Sequence, residues 1–414
     1  MNFHEPTLSG ALEAEPKARA VILEGRWLGA ESHGGWLALH PVSVLEGGDE
    51  AFEEFPDWLS RHAGQFPAGA AIGFCAYELG RHFEPVALPC EPGLPDISFA
   101  YYPRLEPFAP DSSSLHTPAP PSKACAATAR FTEGEFRSAV ARIQEYIAAG
   151  DVYQANLTQQ FRVPFPQAGA AAAYALLREG RAAFGAFLNA DGRAILSASP
   201  ERFFRVSGSH ILASPIKGTI ARAATASEDA RRFRALRSSE KDRAENVMIV
   251  DLLRNDLGRV CEFSTIRARL YEVEAMPHLY HLVSHVEGTL RPESRLGEIL
   301  RALFPCGSIT GAPKVRAMEI LAELELLPRG VSMGAIGIAR GMPGSANFEA
   351  EFSVAIRTMT LVRDAATFNA GCGIVADSDP QAEFEEMMLK ARPLLEALGV
   401  QAQRPARAEV AVEV

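Results

Sequence analysis

The sequence predicts an α+β fold of layered strands and long helices, not a regular βαβ wheel. Strand-like apolar runs at residues 20–23, 36–39 and 70–77 follow one another between Gly and Pro breaks. Helical segments then interrupt later strands at irregular intervals, and each carries a recognisable cap.

The elements read in order as follows. Residues 109–129, rich in Pro, Ser and Ala, read as a surface loop or linker. Thr132 and Glu135 form a capping box for a helix with Phe136, Val140, Ile143 and Ile147 on one face, and Gly150 ends it. Residues 151–163 alternate as a strand, with Gln154, Asn156, Thr158 and Gln160 sharing a face. Short strands follow near 194–198, 202–206 and 211–215. Ser239 caps a helix over 241–257, and Pro313 opens another at its first position. Strands near 333–339 and 351–361 lead to a turn at Gly371, Cys372 and Gly373, and a last helix starts at Pro380.

Composition narrows the function. The chain has 414 residues, 47% of them hydrophobic, enough for one or two sizeable cores. A net charge of −10 without a Lys/Arg stripe argues against nucleic acid. No apolar run reaches membrane-spanning length, and residues 1–10 lack the marks of a signal peptide. The six cysteines show no C-x-x-C pairing and read as reduced thiols of a cytoplasmic protein.

Three constellations could carry chemistry. Asp242 with Glu245, and Glu383 with Glu386, are pairs at helical spacing. Brought together they would suit a hard divalent cation. The plainer alternative makes Asp242 a cap residue and Glu386–Lys390 a surface pair. The loop from Gly307 through Ser308 and Thr310 runs into a helix N-terminus, which favours an anion. With Arg357 on a nearby strand and the close backbone approach that Gly371 and Gly373 permit, it reads as a carboxylate site, or else as an ordinary turn. Glu201 and Lys217, each beside a proline and strand residues, could pair as acid and nucleophile. His281, in a helix or turn, is read as facing a ligand, with His278 and His285 structural.

Five strings give these signals a common source: GFCAYELGR at 73–81, PIKGT at 215–219, DRAENVMIVDLLRND at 242–256, GSITGAPK at 307–314 and GCGIVAD at 371–377. In order and spacing the chain resembles the chorismate-utilising enzymes from about residue 150 to 392. That resemblance implies a four-layer α/β/β/α sandwich. Its parts would be a strand-rich portion at 1–130, a catalytic core at 131–398 and a polar tail at 399–414. It implies Mg2+ held directly by Glu245 and Glu386, with Asp242 and Glu383 behind them. It also implies Glu201 as general acid for the departing 4-hydroxyl, and His281 as the active-site histidine. Ser308, Thr310, Arg357, Gly371, Cys372 and Gly373 would bind the substrate carboxylate. Gly218, Thr219, Lys390 and Gln154 complete the substrate-binding set.

Two positions choose among branches of the family. Members that add water at C2 carry a lysine base where this chain has Gln154. Members that aminate C2 have a small residue where it has Lys217. The PIKGT form resembles the branch making 4-amino-4-deoxychorismate for 4-aminobenzoate and folate synthesis, in which the lysine is the nucleophile. No glutaminase-like Cys-His-Glu set is visible, so ammonia is expected from solution or from a separate glutamine amidotransferase subunit. Rival expectations are amination at C2 and a silent chorismate-binding paralogue. Ile338, where the family has Tyr, and Met387, where Thr is common, depart from the pattern.

Overall fold

The computed structural model describes residues 19–30, 34–108, 126–190, 192–276, 278–341, 348–400 and 406–407. Most of the Pro/Ser/Ala-rich segment, Cys125, residues 1–10 and nearly all of the expected polar tail lie outside these.

Two large antiparallel sheets, of 11 and 10 strands among the described residues, dominate the molecule. Side-chain alternation along their strands shows why they stack. Val21 and Leu23 point to one buried cluster and Ile22 to another, as do Ile195 against Ala194 and Leu196. In the second sheet Ile72, Phe74, Ile336 and Ile338 join the first of these clusters, while Ala71, Cys75, Ala335 and Ala339 face away. One apolar layer therefore lies between the sheets. The outer face of the first sheet packs against helices Glu133–Ala149, Ala170–Arg178, Lys314–Glu325 and Pro380–Ala397 through Phe136, Tyr174, Leu321 and Met387. The outer face of the second meets Asp49–Gln65, Glu240–Gly258 and Leu296–Leu303 through Phe55, Leu253 and Leu300. Three cores between four layers make an α/β/β/α sandwich. Ile338 is fully buried in its middle core.

Residues from before and after position 130 share both sheets: Ala20–Gly25 pairs with Phe184–Ala190, and Ala70–Cys75 with Ala335–Gly341. Among the described residues no helix is long and apolar enough to cross a membrane.

The caps read from sequence hold the helices. Thr132 accepts from the Glu135 N–H while the Glu135 carboxylate accepts from the Thr132 N–H, and Gly150 closes that helix at φ 84°. Ser239 accepts from the Asp242 N–H at 3.3 Å. Five local expectations are corrected. Pro313 occupies the N-cap, one residue before Lys314–Glu325, because its ψ of 142° is extended. The run near 351–361 is two strands, Phe348–Val354 and Thr358–Val362. Arg357 therefore lies between strands, not on one. Gly371, Cys372 and Gly373 form no turn but sit within the strand Ala365–Ile374, paired with Thr158, Leu157 and Asn156. His281 lies on the strand Leu279–Thr289, not in a helix or turn. Glycines and isolated polar residues mimic turns when the ladder beside them is not visible in the sequence.

Candidate active site

Among the short segments that carry the chain from one sheet to the other, two bear site residues. Arg193–Ser199 belongs to the first sheet and Arg202–Ser207 to the second, so Pro200 and Glu201 make the crossing. Phe348–Val354 and Thr358–Val362 reverse it through Ala355, Ile356 and Arg357. The crossings are laced together. The Val354 N–H donates to the Glu201 carbonyl at 3.1 Å, and the Ala198 N–H to the Arg357 carbonyl at 3.1 Å. The Ser199 hydroxyl donates to the Val354 carbonyl at 2.6 Å. Arg357 takes φ 49°, a left-handed conformation costing a β-carbon-bearing residue of order 1–3 kcal/mol.

Glu201 is only 4% exposed. Burial pushes its carboxyl up to about 7, against the pull of the Ser308 hydroxyl, the Lys217 ammonium, the Ile216 N–H and Lys390. From the ordinary value of 4.5 that amounts to about 3 kcal/mol in favour of the protonated form. Its Oε1 has no hydrogen-bond partner among the described residues. A protonated acid with a free oxygen can donate to a leaving group.

Lys217 is half-buried on the strand Ile216–Ala221. Gly218 beside it has φ 82°, and a β-carbon there would stand 2.8 Å from the Asp242 carboxyl carbon. That close approach seats the strand against the start of the helix Glu240–Gly258. Thr219 pairs in register with His281, and its hydroxyl lies 2.9 Å from His281 Nδ1. Burial, helped by the Arg357 charge, lowers His281 to about 4, so the imidazole is neutral near pH 7. Burial also lowers Arg357, and no carboxylate offsets this among the described residues. An arginine left in that condition is a receptor for an anionic ligand.

Charges from the two carboxylate pairs act on one another. Glu245 is raised by burial and by Asp242 and Glu383, against Lys217 and Lys241. The N-terminal turns of the two carboxylate-bearing helices, which cover different sheets, therefore come within electrostatic reach of each other and of Lys217. Ligand atoms of Glu383, Glu386 and Cys372 lie within 4.8 Å of one another. The buried Glu383 accepts from the Ser378 hydroxyl at 2.7 Å, which holds it in place. Burial alone would raise Glu386, but Lys390, 2.8 Å away, and Lys241 bring it below the usual range. Two carboxylates of one helix, within electrostatic reach of Glu245 on the other, fit a hard divalent cation. Lys390 stands in as countercharge and also donates to the Gly371 carbonyl at 3.0 Å.

The glycine strand forms the other wall. Gly371 and Gly373 face the polar side of Gln154–Pro164, and a β-carbon at Gly373 would lie 2.0 Å from Gln154 Nε2. Gln154 is completely buried, and neither amide atom has a partner among the described residues. Ser308 is directed toward Glu201, whereas the Thr310 hydroxyl donates inward to the Cys306 carbonyl at 3.0 Å and shapes the loop. The Cys372 thiol faces the outer helix, 3.4 Å from the Glu383 carbonyl. Lys314, within the same loop motif, forms a buried ion pair with Asp256 at 2.9 Å. Sequence reasoning missed Lys241, whose charge reaches both Glu245 and Glu386. Its only signal was its place at the helix start next to Asp242.

Glu201 gives a direct test. Its folded pKa lies above the ordinary 4.5, so its stabilising contribution is complete below that value and is lost as pH rises through about 7. The infrared difference between wild type and Glu201→Gln should contain a protonated-carboxyl band that disappears with a midpoint near pH 7. A midpoint below pH 5 would remove the acid.

Comparison with known proteins agrees with this geometry. The profile of the family described as chorismate binding enzyme matches residues 38–396. Aminodeoxychorismate synthase component 1 of Klebsiella aerogenes is 38% identical over 353 residues, covering 80% of this chain and 77% of that protein. Anthranilate synthase component 1 of Streptomyces coelicolor is 35% identical over 415 residues, covering 88% of this chain and 80% of that one. The crystal structure of anthranilate synthase component I from Streptococcus pneumoniae matches with a TM-score of 0.73 at 26% identity, over 95% of this chain and 100% of that one. A profile match over most of the chain, on a fold shared end to end with a solved relative, makes this protein a member of the chorismate binding enzyme family.

Proposed function

We propose that the chain converts chorismate and ammonia to 4-amino-4-deoxychorismate through a covalent intermediate on Lys217. The observation that carries this reading is a half-buried lysine acting on a buried, protonatable Glu201. In the first step the Lys217 amine forms a bond to C2 of the ring. Both ring double bonds shift by one position, the C4–O bond breaks as Glu201 delivers its proton, the 4-hydroxyl leaves as water, and the new C2–N group loses one proton in balance. Ammonia then forms the C4–N bond and gives up one proton, both double bonds shift back, and the C2–N bond to Lys217 breaks as the lysine nitrogen takes up a proton. The balance is chorismate plus ammonia giving aminodeoxychorismate plus water. Arg357, Ser308 and the backbone at Gly371 and Gly373 would hold substrate carboxylate, with neutral His281 and Gln154 offering hydrogen bonds.

Glu245 and Glu386, backed by Asp242 and Glu383, would hold Mg2+. When bound, it would neutralise the ring carboxylate. "Component 1" in the relative's name fits an ammonia source on a separate glutamine amidotransferase chain. Likeness to anthranilate synthases makes amination at C2 the second reading, and Lys217 argues against it.

Product identification tests the reading. With chorismate, Mg2+ and an ammonium salt at raised pH, wild type should form 4-amino-4-deoxychorismate, and Lys217→Ala should lose most of that product. Formation of anthranilate by wild type would favour the second reading. For the metal, Glu245→Gln and Glu386→Gln should each abolish turnover and calorimetric Mg2+ binding with circular dichroism unchanged. Full turnover by either variant at ordinary Mg2+ concentrations would remove these carboxylates from the metal site.

A further inference from the structure

We infer that Arg329 and Glu325 are a positioning pair that fixes both walls of the substrate-carboxylate site from behind. Arg329 is 4% exposed and Glu325 5%, and neither is among the groups assigned to contact substrate. The guanidinium donates to the Glu325 carboxylate through Nε at 2.8 Å and Nη2 at 2.7 Å. Its remaining donors reach two backbone carbonyls. Nη1 donates to Ile309 at 2.8 Å, and Nη2 to Asn156 at 2.8 Å.

Those carbonyls belong to the anion loop and to the strand Gln154–Pro164 that pairs with the glycine strand. Ile309 sits between Ser308 and Thr310 in the anion loop. Asn156 pairs with Gly373 across the ladder, and its N–H donates to the Thr310 carbonyl at 2.8 Å. Glu325 extends the brace by accepting from the Thr158 N–H at 2.8 Å and the Thr158 hydroxyl at 3.0 Å, and Thr158 is the partner of Gly371. One buried ion pair thus spans the loop and the strand that backs the glycine strand, with these bonds going to groups next to, or paired in register with, proposed substrate contacts.

The other side of Arg329 is also fixed. Its backbone N–H donates to Glu78 Oε1 at 2.7 Å, and the Gly330 N–H to Glu78 Oε2 at 3.0 Å. The Tyr77 ring centroid lies 4.5 Å from the guanidinium carbon. A buried ion pair contributes little net stability against a well-packed apolar replacement, because desolvation offsets its attraction. Its effect here is geometric. The planar fork holds two carbonyls at a fixed separation, which a lysine, with a single point charge, cannot reproduce.

The proposal rests on the carboxylate site lying at Ser308 and the glycine strand, not on which carbon is aminated. The test therefore uses chorismate binding by calorimetry without ammonia, alongside KM and kcat. Arg329→Lys keeps the charge and loses the fork. Glu325→Gln keeps an acceptor for Thr158 and loses the countercharge. Phe204→Ala, which opens a cavity in an outer core, serves as a control for general destabilisation. In the folded Arg329→Lys and Glu325→Gln proteins, chorismate Kd and KM should rise about tenfold or more, as displacement of positioning groups does, with a smaller change in kcat. Phe204→Ala should lower the thermal midpoint and leave KM in place. Unchanged Kd in a folded Arg329→Lys or Glu325→Gln protein, an equal KM rise in Phe204→Ala, or failure of both pair variants to fold would overturn the positioning role. A product other than 4-amino-4-deoxychorismate would change the proposed function and leave this result standing.

Discussion

The site depends on two crossings between the sheets, made in two residues at Pro200–Glu201 and three at Ala355–Arg357. A stacked pair of sheets buries apolar side chains from both inner faces. A strand that changes sheets must carry its backbone through that layer. The polar groups exposed by the crossing need partners, and the two crossings supply one another through Val354 with Glu201 and Ala198 with Arg357. This mutual bracing holds a carboxyl and a guanidinium where water is scarce. An isolated loop would leave both solvated.

From that placement the electrostatics follow. Removal from water raises Glu201 and Glu245 and lowers His281 and Arg357, so each of these groups is biased toward its neutral form. The charges are not left to cancel by direct pairing. Lys217 acts on both Glu201 and Glu245 without a short ion pair to either among the described residues, and Gln154 keeps its amide unpartnered. A structural core would satisfy these groups. Unpartnered buried polar groups of this kind suit an anionic, hydrogen-bonding ligand, and the chain belongs to a family described as chorismate binding enzymes.

Periodicity exposed much of the fold. The capping box at Thr132, the cap at Ser239 and the face shared by Gln154, Asn156 and Thr158 are local, and local patterns survive in sequence. The carboxylate pairs were legible for the same reason, since a spacing of three fixes a shared helix face. What remained hidden is long-range. Gly371 and Gly373 looked like a turn because their partners in the ladder lie more than two hundred residues away. His281 looked like a helix or turn residue because Thr219, on the strand it pairs with, is 62 residues away. Arg357 looked like a strand residue because nothing local announces a sheet crossing. The brace at Glu325 and Arg329 is at helical spacing and would pass for an ordinary surface pair. Only the carbonyls it reaches distinguish it.

Lys217 is the residue on which the reading of this member of the family turns. Apolar Ile216 on one side and Gly218 on the other leave its amine approachable within the strand, and Gly218 also lets Asp242 come close. The most direct measurement is mass spectrometry of enzyme quenched after incubation with chorismate and Mg2+ but no ammonia. The account predicts that the peptide containing Lys217 gains the mass of chorismate less one water, and that Lys217→Ala shows no such gain. An unmodified peptide from wild type, together with a normal rate of 4-amino-4-deoxychorismate formation by Lys217→Ala, would contradict it.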